Sequence, residues 1–174
     1  MLKKILTLLL FLHFITFPYT ALAKIPSYYG ANGALLDENI SLADALTYAL
    51  QDELLHQSYF DSCIERYGAI RPFVQVKVYQ SQQISTLLPL LKKYNIDSPK
   101  DRTNKFIHSP PTLQQAFEQA IEYEIKNNLM YKKLRSINVF PEDVTEAFER
   151  FFNSSSQHIR ILKSEKKQYV SLRS

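Results

Sequence analysis

Four stretches of this chain repeat apolar residues at the 3.6-residue period of a helix, and each breaks its own stripe at mid-length with a polar residue. The first stripe runs through Leu42, Leu46, Ala49, Leu50, Phe60, Ile64 and Tyr67, broken by Glu53. The second runs through Phe73, Val76, Leu87, Leu88 and Leu91, broken by Gln80 and Gln83. The third carries Phe117, Ala120, Ile121, Tyr131 and Leu134 around Glu124. The fourth carries Val144, Phe148, Phe151 and Leu162 around Ser155 and His158. A buried polar group without a partner costs roughly 2–7 kcal/mol. Four helices with this flaw at the same height are tolerable only if the polar groups meet. The pattern therefore predicts an all-α bundle with one polar layer across its middle.

Local signals set the boundaries. Ser41 caps the first helix, with Asp44 three residues on, and Gly68 stops it. Pro72 suits the first turn of the second helix, and Pro89 should kink its last turns before the end near Tyr94 and Asn95. Thr112 caps the third helix. Pro141, with Glu142 and Asp143 at the positive end of the helix dipole, opens the fourth. The link from Ile96 to Pro111 is longer than bundle turns of 2–8 residues, so it reads as a crossover that lets the second and third helices run parallel. The alternation Val74 to Tyr79 is strand-like, but the helical stripe running on to Leu91 outweighs it.

The remaining organisation follows. Met1 to Ala23 has a basic start, a short apolar run and an Ala-Leu-Ala exit, the pattern of a secretory signal. Cleavage after Ala23 leaves an irregular lead over residues 24–40, the bundle over 41–167 and a charged, fraying tail over 168–174. The expected location is periplasmic or secreted, with no membrane span after cleavage. Loss of Lys3 and Lys4 lowers the formal net charge from +4 to +2, and the basic residues are dispersed, which argues against a nucleic-acid partner. The sequence names no other partner and leaves a homodimer open. Cys63 is the single cysteine, so no intrachain disulfide forms; it lies on an apolar face and should be buried.

The layer is the candidate site. Glu53 and Glu124 at one level repel unless a cation or a shared proton lies between them, and His158 is a natural neutral ligand. His56, three residues after Glu53, is a substitute ligand on the same face. Gln80 and Gln83 can instead close a metal-free polar core by hydrogen bonding. The run Asp52-Glu53-Leu54-Leu55-His56 resembles the zinc-protease helix H-E-x-x-H, but aspartate replaces the first histidine, so the clamp cannot form. No nucleophile elbow, phosphate loop, dinucleotide fingerprint or C-x-x-C is present, and no catalytic residue can be named.

Three stretches carry a family resemblance. They are Ala45-Leu46 through Asp52-Glu53 with Tyr67-Gly68 and Arg71-Pro72-Phe73; Gln83-Ile84 with Leu87 to Leu91 and Lys93-Tyr94; and Glu124-Ile125 with Met130-Tyr131 and Ser155 to His158. Over about Ser41 to Lys163 the chain resembles the ferritin-like superfamily, and within it a prokaryotic family known only as a domain of unknown function. The resemblance implies a four-helix bundle with a long crossover between the second and third helices. The superfamily builds a di-iron centre from a glutamate on each of two helices and Glu-x-x-His on the other two. On that match Glu53 and Glu124 stand for the lone glutamates, Gln80 and Gln83 replace one Glu-x-x-His, and Ser155 with His158 replaces the other. Tyr131 keeps a hydroxyl that can donate into the layer. The departures remove the central ligands of the second helix, and iron favours carboxylate and imidazole over neutral amides. The expectation is a degenerate site holding one iron or manganese ion through Glu53, Glu124, His158 and His56, with any surviving chemistry redox in kind. The alternative is a metal-free, non-enzymatic bundle that binds a partner or ligand in the cell envelope.

Overall fold

The computed structural model describes residues 24–171; the signal-like segment 1–23 lies outside it. Five α-helices and one 3-10 turn make up the described residues, with no strand among them: α1 Gly30–Leu36, α2 Leu42–Tyr67, α3 Arg71–Lys93, the turn Thr103–Lys105, α4 Leu113–Leu134 and α5 Glu142–Ser171. The all-α expectation holds. No helix among the described residues is long and apolar enough to cross a membrane.

The caps sit where the sequence puts them. Ser41 and Asp44 form a reciprocal capping box, and Thr112 accepts from the Gln115 backbone. Gly68 ends α2 with φ of 84°, a left-handed value that suits glycine. Pro72 lies in the first turn of α3, and that helix continues through Pro89 to Lys93. The segment 74–79 is helical throughout.

Side-chain contacts fix the directions. Gln57 bonds Ser81 and Phe60 packs on Phe73, so α2 and α3 are antiparallel. Asn127 bonds Glu53 while the Tyr59 hydroxyl bonds the Ala116 carbonyl, so α2 and α4 are antiparallel too. Asn128 against Phe152 and Lys166 against Glu118 give the same sense to α4 and α5, as Lys93 with Asp143 and Tyr79 on His158 do for α3 and α5. It follows that α3 and α4 run parallel. The link between them must travel the length of the molecule, with Ile96 packed in one apolar cluster and Ile107 in the other.

Two departures from the sequence reading concern the ends. The lead over 24–40 is not wholly irregular, because it forms α1, which packs on α2 and α4. Glycines make that possible. Gly30 has φ of 54°, and a Cβ on Gly33 would lie 2.5 Å from the Tyr28 carbonyl oxygen and 2.6 Å from Tyr48. The start of the tail does not fray, since α5 is helical to Ser171; residues 172–174 lie outside the described residues. Tyr169 packs on Phe117 with ring centroids 5.9 Å apart, and Lys166 pairs with Glu118 at 2.7 Å, which holds the last turns down.

The core is split. One apolar cluster gathers Leu46, Leu50, Leu87, Leu91, Met130, Leu134 and Phe148. The other gathers Tyr59, Phe60, Phe73, Val76, Phe117, Ala120 and Leu162. Cys63 is fully buried in the second cluster, as its apolar face requires. The polar layer lies between the two.

Candidate functional site: a buried polar layer

The polar residues of the candidate site are all buried, whereas Leu88 of the second stripe is exposed. Glu53, Glu124, Ser155 and Tyr131 have no exposed surface, and His56, Gln80, Gln83 and His158 are 5 % exposed or less. Bonds across the helices show which of them converge. Glu124 is the hub. Its Oε1 accepts from Gln80 Nε2 at 2.9 Å and lies 3.5 Å from His56 Nδ1. Its Oε2 lies 3.2 Å from His158 Nδ1. The other His158 nitrogen faces the Ser154 hydroxyl at 3.1 Å, and the ring packs against Tyr79.

Glu53 belongs to a second group. Its Oε1 accepts from the Tyr131 hydroxyl at 2.6 Å and from Asn127 Nδ2 at 3.0 Å. Its Oε2 is buried without a partner. Ser155 does not enter the layer as a ligand would; its hydroxyl donates to the Phe152 carbonyl and accepts from Asn128 on α4. Gln83 is buried with both amide atoms unpartnered, and Gln80 Oε1 is unpartnered too.

Three participants escape a stripe-based reading. Asp52, next to Glu53, is 4 % exposed. Its Oδ1 accepts from the Ala31 backbone at 2.9 Å, its Oδ2 accepts from Asn127 at 2.9 Å, and His56 Nε2 lies 3.5 Å from Oδ2. Asn127 bridges Asp52 and Glu53. The backbone of α1, through Ala31, completes the set. The i, i+4 spacing of Asp52 to His56 and the i, i+3 spacing of Glu124 to Asn127 are the signals that mark them.

Charge follows from these contacts. Burial pushes the Glu53 carboxyl up to about 8, against the opposing pull of His56 and of its bonds from Tyr131 and Asn127. Burial alone would lower His56, but Asp52 and Glu124 on its two sides outweigh it and raise the imidazole to about 9. For Glu124 burial acts upward, and His158 and His56 win, taking it to about 2. Near neutral pH the layer thus holds a protonated Glu53, a charged His56 and an ionised Glu124. Burial, with Glu53 beside it, raises the Tyr131 phenol well above its usual value, so it stays a donor.

The donor set does not fit a di-iron centre. Such a centre needs several carboxylates and imidazoles aimed at one point, and among the described residues no three His, Cys, Asp or Glu side chains do this. Both imidazole Nδ1 atoms face Glu124, and a glutamine amide donates to it. A small cavity lies beside the layer, with Tyr29, Asp52, His56 and Tyr123 among its lining residues. No family model matches the chain, and neither the curated proteins nor the solved structures contain a significant match to it.

Proposed function

We propose that this chain is a ferritin-like four-helix bundle, exported to the periplasm or beyond, whose polar layer closes on itself without metal. On this reading the protein is not an enzyme and works by binding a partner or ligand in the cell envelope. One observation carries it: Glu124, at the hub, is already held by Gln80, His56 and His158. A carboxylate surrounded by donors needs no ion. The charged His56, between Asp52 and Glu124, supplies the positive charge that a metal supplies elsewhere. The antiparallel pairs and the parallel α3 and α4 support the ferritin-like topology.

A second reading has its own support. Glu53 Oε2, Gln80 Oε1 and Gln83 Oε1 are buried oxygens without partners. They suit a single hard divalent ion such as manganese better than iron, because oxygen donors favour hard cations. Binding would then expel the Glu53 proton.

Elemental analysis of tag-free protein, with thermal melts in the presence and absence of manganous and ferrous ion, separates the two. The metal-free reading expects no stoichiometric ion and no metal-dependent shift in the native chain. It expects a gain in the double variant Gln80→Glu, Gln83→His, which restores Glu-x-x-His on α3. A stoichiometric ion in the native chain, with a higher melting temperature when it is added, would establish the second reading instead.

A further inference from the structure

A cleft of about 200 Å³, lined by no residue of the polar layer, lies where the start of α1 meets α2 and the crossover link. Its walls are Tyr28, Tyr29, Phe106, Gln51, Lys100 and Arg102. Among the described residues the Lys100 and Arg102 side chains make no ion pair and no hydrogen bond. The Tyr29 hydroxyl is buried, in a residue only 4 % exposed, and donates to no protein acceptor. Burial and the nearby Asp101 and Asp52 carboxylates push this phenol up to about 12 against the opposing pull of the Arg102 backbone N–H and guanidinium, so it remains a donor. Gln51 spends its carbonyl on the Gly30 backbone at 3.0 Å, which leaves its amide N–H groups free.

The Tyr29 hydroxyl is therefore the buried donor of this cleft without an acceptor, and Lys100 and Arg102 are exposed cations at its mouth. Both nearby carboxylates are engaged elsewhere. Asp101 accepts from the Thr103 backbone and hydroxyl at 2.8 and 2.7 Å, and Asp52 is held by Ala31, Asn127 and His56. An unmatched buried donor costs about 1–3 kcal/mol, a cost that an acceptor in the cleft removes. The rest of the wall is aromatic. Tyr29 and Phe106 meet edge to face at 5.4 Å, and the Tyr28 ring is 70 % exposed.

We infer that this cleft binds a small flat carboxylate: a single ring whose anionic end meets Lys100, Arg102 and the Tyr29 hydroxyl while its faces lie on Tyr28 and Phe106. The volume admits one ring with its carboxylate and is below the roughly 300 Å³ at which pockets for larger ligands begin. None of the residues proposed to contact the ligand belongs to the polar layer, so the inference stands whether or not that layer holds an ion.

Calorimetric titration of the mature protein with benzoate, and in parallel with benzylamine and inorganic phosphate, tests it. Benzoate should bind and benzylamine should not. The double variant Lys100→Ala, Arg102→Ala, both exposed positions, should weaken benzoate by about tenfold or more, as loss of charge-assisted hydrogen bonds does. Tyr29→Phe should weaken it severalfold, with its melting curve checked for an intact fold. Benzylamine binding as tightly as benzoate would overturn the inference. So would undiminished benzoate binding by the double variant, phosphate binding without benzoate binding, or no benzoate binding at millimolar concentration.

Discussion

Replacing Glu53 by glutamine should stabilise this protein near neutral pH, although Glu53 is fully buried and hydrogen-bonded. The usual value of its carboxyl is 4.5, and burial lifts it to about 8 in the fold. Between those values the unfolded chain is ionised and the folded chain is not. Folding then takes up a proton, so stability falls as pH rises through this window and levels off above the folded value. At about 1.4 kcal/mol per unit, the native state has lost on the order of 3 kcal/mol by pH 7 relative to a residue that never ionises. Glutamine is such a residue, and its carbonyl can still accept from Tyr131 and Asn127. For a chain of this size the gain corresponds to a rise in melting temperature of roughly 6–12 °C at pH 7, shrinking to nothing near pH 4–5. Thermal melts followed by circular dichroism from about pH 5 to pH 9 read it directly. The reasoning fails if Glu53→Gln melts below the native protein at every pH, or if the two curves keep a constant separation. Either result means that Glu53 is ionised in the fold, as a ligand to a cation would be.

His56→Gln should act in the opposite sense. Its imidazole is raised from 6.5 to about 9, so its contribution is complete below the unfolded value and is lost as pH rises through the folded one. The variant should lose about 3–5 kcal/mol near pH 6, the cost of breaking a buried ion pair from one side, and the gap should narrow toward pH 9 in denaturant melts. Gly33→Ala should undock α1, because its Cβ would meet the Tyr28 carbonyl, which is backbone and cannot yield. A loss of about 1–3 kcal/mol is expected, with limited proteolysis appearing first near residues 24–40. Unchanged melting and proteolysis would mean that α1 contributes nothing to covering Asp52.

The helices were legible because each signal for them is local. Stripe period, Ser41 with Asp44, Gly68, Thr112 and Pro141 all act within a few residues of the boundary they mark. The inward turn of Glu53, Gln80, Gln83, Glu124, Ser155 and His158 was legible for a related reason, since each interrupts an apolar stripe and so shares its direction. What was not legible depended on a second surface. Asp52 lies off the stripe of α2, and a residue at that position is normally solvated. It is covered by α1, whose Ala31 backbone bonds it, and by Asn127, and Gly30 lets the α1 backbone approach it that closely. The last turns of α5 likewise owe their order to Phe117 and Glu118 on a distant part of the chain.

This difference also bears on the proposal that the layer closes without metal. A periodic pattern says that Glu53, Glu124, His56 and His158 face inward at one height, and they do. It says nothing of where each spends its hydrogen bonds. Asp52, unseen in the stripe, takes one side of His56 and turns that imidazole into a cation between two carboxylates. Asn127, also outside the pattern, ties Glu53 to Asp52, and Tyr131 donates to the same Glu53 oxygen. Both residues come from positions that a ligand motif never counts. A bundle can thus keep most of the side chains of a metal site and still distribute their protons so that its buried charges find partners within the protein. Counting ligands is a statement about residue types; the protonation of Glu53 and His56 is set by the neighbours that the count omits.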